Sequence, residues 1–296
     1  MRHPVASNDV PWIGGSGVEP AYLLKYEYLK RVPVTAGNFQ SHDHYEIFYF
    51  HEGKGQYLIG DKIHVLKPGT LIVMHGLTLH MPKSFEGHPY VRTLLNFDPG
   101  YFRAASEHVF SINPLQPFER LRNYKVQLSM EEQDEFEEML RKLNRLYSAQ
   151  DPVSHERFRV LCLDALFFIC QVLMKPVTEE AGFPSEKEQH VQNALSYIEQ
   201  HYMTDIRLDQ LQENLHINKY YLVRIFQEVT GMTIFHYIYR RRINQAKILF
   251  LLDPEKSVTD ICYETGFKNH SHFSKVFKQW EGKTPTQYRR LVKSQF

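Results

Sequence analysis

Short apolar runs separated by turn residues characterise the first third of the chain. The clearest runs, rich in aromatic and β-branched residues, are Glu46–Phe50, Gly55–Ile59 and Leu71–Met74. Turn-forming pairs such as Gly60-Asp61 and Pro68-Gly69 stand between them. Short strands at near-regular spacing are typical of an antiparallel barrel or sandwich. The pattern therefore predicts a β-rich domain over residues 21–97.

A helical period replaces these runs after Ser129. Ser129 and Glu132 have the spacing of a capping box, and the apolar residues that follow recur every three or four positions. Asp151-Pro152 begins a second helical stretch. Two consecutive amphipathic helices are therefore predicted over residues 128–175. Two alternatives are open for these helices. They pack on the β-rich domain alone, or they pack on it and also form a homodimer interface.

One arrangement of helices occurs twice in the last hundred or so residues. In each copy a short apolar helix leads to a turn, then to an asparagine that can cap the next helix, and finally to a glycine that can end it. The capping residues are Asn218 and Asn269, and the glycines are Gly231 and Gly282. The pattern predicts two helix-turn-helix units, with one long helix over residues 233–252 between them. If that helix is rigid, both recognition helices can enter successive major grooves about 34 Å apart.

The segment between the two parts of the chain predicts a linker. Pro176, Gly182 and Pro184 interrupt any regular element there, so we place the linker at residues 176–187. Residues 185–296 contain 16 Lys+Arg against 12 Asp+Glu, whereas residues 1–184 contain 19 against 22. A basic C-terminal part and a slightly acidic N-terminal part are what a DNA-binding domain joined to a sensing domain would show.

Composition and cysteine usage narrow the class of protein. Hydrophobic residues make up 43% of the chain and charged residues 23%, which excludes a disordered or fibrous protein. Cys162, Cys170 and Cys262 have no metal-ligand spacing, so we interpret them as small buried hydrophobes in a reducing cytoplasm. The N-terminus has no apolar run of signal-peptide length, and Leu161–Met174 is too short to span a bilayer. We expect a cytoplasmic protein that does not contact a membrane.

The second helix-turn-helix unit carries a recognisable sequence pattern. It runs from Ile261 to Lys278 and continues through Gly282–Pro285 and Tyr288-Arg289. This pattern closely resembles the DNA-binding domain of the AraC/XylS family of bacterial regulators. The first unit matches at the positions Leu208, Leu211, Asn218, Tyr221, Leu222, Arg224, Phe226, Gly231, Arg242 and Ala246. Family members usually have alanine where Gln212 and Cys262 stand, and Gln212 makes the first unit the more variable one.

Helical position and the resemblance together give candidates for DNA contact. On the two recognition helices the candidates are Lys219, Tyr220, Val223, Arg224, His270, Ser271, Ser274 and Lys275. Arg224 and Lys275 are the strongest candidates for base contacts, because both can donate to guanine O6 and N7. The candidates for holding phosphates or helix ends are Arg242, Asn269, Gln287 and Arg289. The alternative for each residue is a solvated helix face.

The β-rich domain resembles the cupin-type sensing domain found in many AraC-family regulators. The resemblance rests on the run His42–Ile47, the Gly53/Gly55 turn, Leu66–Gly69 and His80. It implies a polar ligand pocket, for which the candidate residues are His42, His44, Glu46, Tyr57 and His80. Strand alternation is expected to place the first three of these on one face, with His80 approaching from a neighbouring strand.

A metal at these residues is not predicted, although it stays an alternative beside structural hydrogen bonding. Metal-binding cupins usually have a glutamate three or four residues beyond the second histidine, and Phe48 or Tyr49 occupies that place here. On a regular strand Glu46 is too close to the histidines to serve as that ligand. The prediction is therefore a sensor without catalytic residues, metal or other cofactor.

The predicted architecture is an α+β chain of two domains. A cupin-like antiparallel β-barrel covers residues 1–127, the helical pair 128–175, the linker 176–187 and the double helix-turn-helix domain 188–296. The predicted function is a sequence-specific DNA-binding transcription regulator that responds to a small metabolite such as a sugar. The implied partners are promoter or operator DNA, this effector, a second copy of the chain and RNA polymerase, with action as an activator. The alternatives are a cupin-type metalloenzyme with an accessory DNA-binding domain, and a constitutive regulator whose barrel serves only for dimerisation.

Overall fold

The chain is described by a computed structural model over residues 24–31, 38–106, 110–119, 123–149, 151–175 and 185–293. Strands occupy the N-terminal part and helices the C-terminal part, as predicted. Most of the predicted linker, residues 176–184, lies outside the described residues, as do residues 1–23 of the predicted barrel domain.

The strands form two antiparallel sheets. They are β1 (Leu24–Arg31), β2 (Tyr45–Gly53), β3 (Gly55–Ile59), β4 (Lys62–Leu66), β5 (Thr70–His75), β6 (His80–Ser84), β7 (Tyr90–Phe97) and β8 (Tyr124–Gln127). Among the described residues, one sheet has the order β1-β7-β2-β5-β8 and the other the order β4-β3-β6. All three apolar runs singled out in the sequence are strands, so the predicted antiparallel β-fold is confirmed.

Both faces of strand β2 are buried. Successive side chains point to opposite sides of a strand, so one set packs inside the barrel and the other packs outside the sheet. Phe48 and Phe50 face the space between the two sheets, where they meet Tyr57 and Ile59 of the second sheet. The alternate residues of β2, represented by Tyr49, pack against helices on the outside of the five-stranded sheet. Apolar side chains therefore fill much of the barrel interior.

Four helices follow or interrupt the strands. They are α1 (Gly100–Ser106), α2 (Gln116–Glu119), α3 (Met130–Ser148) and α4 (Pro152–Met174). The predicted capping box starts α3, since Ser129 and Glu132 each accept the other's backbone N–H. Tyr26 of β1 donates to the carbonyl oxygen of Leu140 on α3 at 2.8 Å. The helical pair therefore packs on the barrel.

Seven helices form the C-terminal part that the structure describes. They are α5 (Glu186–His201), α6 (Leu208–Leu215), α7 (Lys219–Thr230), α8 (Ile234–Leu252), α9 (Val258–Glu264), α10 (His270–Glu281) and α11 (Pro285–Lys293). Asn218 caps α7 and Asn269 caps α10, as predicted. Gly231 and Gly282 end these helices with φ of 72° and 70°, values that favour glycine. Both predicted helix-turn-helix units and the long connecting helix are confirmed.

The first helix-turn-helix unit packs directly on the three-stranded sheet. Leu58 and Met81 of the barrel share one buried cluster with Ile198 of α5 and Tyr237 of α8. The hydroxyl of Tyr237 also donates to the carbonyl oxygen of Gly60 at 3.1 Å. The sensing and DNA-binding parts therefore share a hydrophobic core, a contact for which the sequence gives no signal.

The three cysteines are free thiols. Cys162 and Cys262 are fully buried, as predicted, whereas Cys170 is half-buried. Within the described ranges, no helix has both the length and the apolar character that crossing a membrane requires.

Candidate nucleic-acid interface and a buried histidine–glutamate cluster

Helix α7 presents one polar face outward while its other face holds the first unit together. The side-chain oxygen of Asn218 accepts the backbone N–H groups of Tyr220 at 3.0 Å and Tyr221 at 3.3 Å, which fixes the start of the helix. Leu222 and Phe226 are fully buried below it. On the outer face Tyr220 is 76% exposed. Of the other three candidates on this helix, Arg224 is exposed, and Lys219 and Val223 are half-buried.

The two cations of α7 differ in how firmly they are held. The Lys219 ammonium lies 2.6 Å from the carboxylate of Asp209 on α6. The Arg224 guanidinium lies over the ring of Tyr221, 5.3 Å from its centroid, and 3.9 Å from a carboxylate oxygen of Glu228. With its side chain 67% exposed, Arg224 can leave both contacts for a base edge.

A concavity lies beside the start of α7. Its volume is about 600 Å³, and it is lined by Arg207, Leu208, Asp209, Lys219, Tyr220, Val223 and Phe235. Three of the predicted DNA-contacting residues line it, together with Arg207 and Phe235, which sequence analysis did not single out. In the sequence, Arg207 could have been recognised as a candidate only from its position directly before α6. The concavity places two cations next to the recognition face.

Helix α10 repeats this design in the second unit. Phe273 and Phe277 are fully buried, whereas His270, Ser271 and Lys275 are exposed and Ser274 is half-buried. No hydrogen bond or ion pair within the described part of the chain engages the Lys275 ammonium, so it is available for an external acceptor.

The residues predicted to hold phosphates or helix ends all hold helix ends or loops. The buried guanidinium of Arg242 donates to the carbonyl oxygens of Tyr202 at 2.6 Å and Thr204 at 2.7 Å, which terminates α5. The Asn269 side chain accepts the N–H of His272, the Gln287 side chain accepts the N–H of Thr284, and Arg289 donates to the carbonyl oxygen of Lys256. Arg242 is 9% exposed, which agrees with the helix-end alternative, and its contact with DNA stays a prediction.

A second polar cluster lies where the barrel meets the connecting helix. Glu46 on β2, His80 at the start of β6 and His42 just before β2 offer one ligand atom each, and these atoms all lie within 4.8 Å of one another. Within the cluster, His42 Nε2 and Glu46 Oε2 lie 3.4 Å apart. Glu46 and His80 are buried, and His42 is 22% exposed on its side chain.

Hydrogen bonds around this cluster set the protonation of its members. Tyr57 donates to Glu46 Oε1 at 2.7 Å, and the Nδ1 of His80 lies 2.8 Å from the carbonyl oxygen of Thr78. Because a carbonyl oxygen only accepts, His80 carries its proton on Nδ1 and its Nε2 has a free lone pair. Burial lowers the pKa of His80, which favours the neutral ring.

The Glu46 carboxyl is ionised despite its burial. Burial acts to raise its pKa, but the contact with His42, the neighbouring His80 and the Tyr57 hydrogen bond outweigh this effect and leave the pKa below its usual value. Burial, followed by the charge of Glu46, raises the pKa of Tyr57 well above its usual range, so Tyr57 stays a donor. The cluster therefore combines the Glu46 carboxylate with a neutral His80.

The sequence pattern points to these residues, but the chain brings them together in a way that strand periodicity does not predict. Strand β2 begins at Tyr45, so His42 and His44 precede the strand and do not share a strand face with Glu46. His42 instead sits in an irregular segment and turns back toward Glu46, which removes the geometric objection to Glu46 as a ligand. His44 stacks on His42 with ring centroids 5.2 Å apart. Tyr57 holds the Glu46 carboxylate through its hydrogen bond to Oε1.

The connecting helix α8 contacts both segments that carry the histidines. Asn244 donates to the carbonyl oxygen of Leu77, in the turn before His80, at 2.7 Å. The Lys247 ammonium donates to the carbonyl oxygen and the hydroxyl of Ser41, beside His42, at 3.2 Å each. Asn244 and Lys247 are not among the site residues predicted from the sequence. Their signal was two polar residues on an otherwise core-forming face of a predicted helix.

Both parts of the chain match known protein families. The AraC-like ligand binding domain matches residues 32–159, and a helix-turn-helix domain matches residues 211–291, so that together they cover more than half of the chain. The chain belongs to the AraC family of transcriptional regulators. This agrees with the resemblance carried by the second helix-turn-helix unit.

Individual relatives match either about a third of the chain or most of it. An uncharacterized HTH-type transcriptional regulator in the cgkA 5' region of Pseudoalteromonas carrageenovora is 41% identical over 35% of this chain and 61% of its own length. The melibiose operon regulatory protein of Escherichia coli K12 is 34% identical over 34% of this chain and 33% of its own. The uncharacterized HTH-type transcriptional regulator YbfI of Bacillus subtilis is 25% identical over 78% of this chain and 79% of its own length.

The coverage of these AraC-family relatives is uneven. This chain spans less than two thirds of the length of the first two and about four fifths of YbfI. All three are described as regulatory proteins.

Proposed function

We propose that this protein is a sequence-specific DNA-binding transcription regulator whose two helix-turn-helix units bind adjacent segments of one operator. The observation that carries the proposal is the repeated design of α7 and α10. Each helix is capped by asparagine, anchored by buried apolar residues and exposed on the opposite face. The exposed faces carry the donors Arg224 and Lys275, which suit the acceptor pattern of guanine in the major groove.

The connecting helix supports simultaneous binding by both units. Ile238 of α8 lies in the core of the first unit, and Phe250 lies in the core of the second. The 19 residues of α8 extend about 28 Å at 1.5 Å per residue. This length is comparable to the distance of about 34 Å between successive major grooves on one side of a duplex.

The barrel is the proposed effector-binding part. The name of the melibiose operon regulatory protein favours a sugar as the effector class. The barrel interior favours an effector smaller than a sugar. Phe48, Phe50 and Tyr57 fill the space between the sheets, and each is at most 1% exposed. A sugar would have to displace some of these side chains.

A homodimer through α4 is the second part of the proposal. Val153 and Val160 lie seven residues apart on one helix face and are 68% and 66% exposed, although apolar residues favour burial. Light scattering of the purified chain tests this assignment. We expect a dimer, and we expect Val160→Glu to give a monomer; a wild-type monomer at all concentrations would contradict it.

Selection from a random-sequence duplex library tests the DNA-binding function. The full chain should enrich one sequence with two conserved segments separated by about one helical turn. The Arg224→Ala variant should relax the selected sequence in one segment only. Enrichment of no sequence above background would overturn the proposal, and a single conserved segment would overturn the role of the second unit.

A further inference from the structure

We propose that His42, Glu46 and His80 bind a divalent transition-metal ion, with Zn²⁺ as the reference ion, and that this ion is the effector of the regulator. The metal site stands on its own geometry, and the effector role rests on the proposed DNA-binding function. Among the residues that the structure describes, this is the one group of three histidine, cysteine or acidic side chains whose ligand atoms converge closely enough to hold a metal ion.

The ligand atoms of the cluster suit Zn²⁺ and other divalent first-row transition-metal ions. Two imidazole nitrogens and one carboxylate oxygen are ligands that Zn²⁺, Ni²⁺ and Fe²⁺ accept, and a catalytic or exchangeable zinc site commonly uses three protein ligands. With zinc–ligand bonds of about 2.0 Å, two tetrahedral ligand atoms lie about 3.3 Å apart. His42 Nε2 and Glu46 Oε2 already lie 3.4 Å apart, and the ligand atom of His80 lies within 4.8 Å of both, so it would have to approach by at most about 1.5 Å.

The outer hydrogen bonds also match those of metal ligands. Ligating histidines usually donate their second ring N–H to a carbonyl or carboxylate, and ligating carboxylates are themselves hydrogen-bonded. His80 donates from Nδ1 to Thr78 and keeps Nε2 for the ion. Tyr57 occupies Oε1 of Glu46 and leaves Oε2 toward His42. His80 and Glu46 are therefore each oriented by a hydrogen bond, and each keeps one atom free for the ion.

Unpartnered buried atoms point to the same ligand. Over the residues that the structure describes, Nδ1 of His42 and Nε2 of His80 have no hydrogen-bond partner, and Nε2 of His42 has only the 3.4 Å contact with Glu46. Buried polar atoms without a partner are rare, because each one costs free energy. A cation between His42 and His80 satisfies two of these atoms and neutralises the buried charge of Glu46.

A glycine permits the required position of His42. A Cβ on Gly76 would lie 2.1 Å from Nδ1 of His42 and 2.6 Å from the carbonyl oxygen of His44. Backbone hydrogen bonds join the same segments, from His42 N to Gly76 O at 2.8 Å and from Gly76 N to His44 O at 3.0 Å. The loop bearing His42 is therefore fastened against the turn that leads to His80.

The cluster is linked to the second recognition helix through two further contacts. Lys247 bonds to Ser41, which adjoins His42, and its ammonium also lies 3.0 Å from the carboxylate of Glu281 at the end of α10. Lys247 is buried, so it cannot exchange these partners for water without moving. A metal ion that draws His42 and His80 together therefore acts on α8 and α10.

Zinc binding to the full chain is the first part of the test. We expect about one Zn²⁺ per chain in competition with a chromogenic chelator, no response to Mg²⁺, and visible absorption bands with Co²⁺ that report imidazole and carboxylate ligation. His42→Ala and Glu46→Gln should weaken zinc binding by at least about tenfold. Glu46→Gln keeps an acceptor for Tyr57, so its fold is preserved, and His88→Ala removes an exposed histidine as the matched control. Equal zinc binding by wild type and His42→Ala would overturn the metal site.

Operator affinity with and without Zn²⁺ is the second part. We expect zinc to change the wild-type affinity by roughly fivefold or more and to leave His42→Ala unchanged, although that variant still binds DNA. Zinc binding without any change in operator affinity would overturn the effector role alone. If the wild-type chain bound no DNA sequence specifically, either with or without zinc, the proposed function would be overturned and the metal site would be unaffected.

Discussion

Lys247 on the connecting helix donates to the carbonyl oxygen of Ser41 on the barrel at 3.2 Å, although the two residues are 206 positions apart in the chain. The same ammonium lies 3.0 Å from the Glu281 carboxylate. A buried ammonium is stable only when several acceptors replace water around it. One side chain therefore joins the sensor loop, the connecting helix and the end of the second recognition helix.

Removing this ammonium should destabilise the protein. In Lys247→Met the stem still packs, but Ser41 loses its donor and Glu281 its ion partner. We expect a loss of about 1 to 3 kcal/mol in unfolding free energy, measured by urea denaturation. Lys54→Met, which removes an exposed lysine at the turn between β2 and β3, is the control and should have no measurable effect. Equal stability of the two variants would show that Lys247 does not join the domains.

Lys275 should contribute to sequence-specific affinity. We expect Lys275→Ala to weaken operator binding by about 1 to 3 kcal/mol in fluorescence anisotropy, because a base-contacting donor is lost. Binding to unrelated duplex should fall much less. Lys54→Ala removes the same charge from the barrel and should leave both affinities unchanged. An unchanged operator affinity in Lys275→Ala would remove this residue from the interface.

The cap of the first recognition helix offers a stability test with a conservative control. Asn218→Ala removes the acceptor of two backbone N–H groups and should cost about 1 kcal/mol. Asn218→Asp retains a side-chain acceptor at the same position and should stay near wild type. Urea unfolding followed by circular dichroism distinguishes them. If both variants matched wild type, α7 would not depend on its cap.

His64 should make stability depend on pH. Burial, followed by the nearby charges of Lys125 and Lys62, lowers its pKa to about 4, and only Asp61 opposes this shift. The unfolded chain has a pKa of about 6.5 at this residue, so the unfolded state binds the proton first as the pH falls. The contribution of His64 is therefore complete above about pH 6.5 and is lost progressively as the pH falls to about 4.

Urea midpoints at about pH 7 and about pH 4.5 measure this dependence. His64→Gln cannot bind the proton in either state, so its midpoint should fall less between the two conditions. His88→Gln, at an exposed position, should retain the wild-type decrease. A decrease in His64→Gln as large as that of wild type would contradict the assignment.

The sequence predicted the elements whose signals are local. The capping box of Ser129 and Glu132, the caps Asn218 and Asn269, and the terminal Gly282 each involve residues within one turn of a helix end. Such residues act through the nearest backbone groups, so their spacing is enough to place them. Helical periodicity is equally local, which explains why the sequence alone separates the outer face of each recognition helix from its buried face.

Features that depend on distant segments could not be placed in this way. The irregular path of His42 follows from its bonds to Gly76, which lies on another part of the chain, and strand periodicity alone put His42 on the wrong face. The role of Arg242 depends on how α8 packs against the end of α5, so its sequence position fits a phosphate contact and a helix-end contact equally well. The contacts of Asn244 and Lys247 with the barrel need the whole interdomain packing, which no local pattern encodes.

Hydroxyl-radical footprinting of the selected operator tests the central claim most directly. Wild type should protect two segments on one side of the duplex, about one helical turn apart. Arg224→Ala should lose protection in one segment and Lys275→Ala in the other. Protection of a single segment, or loss of the same segment in both variants, would contradict the account in which the two units bind one operator together.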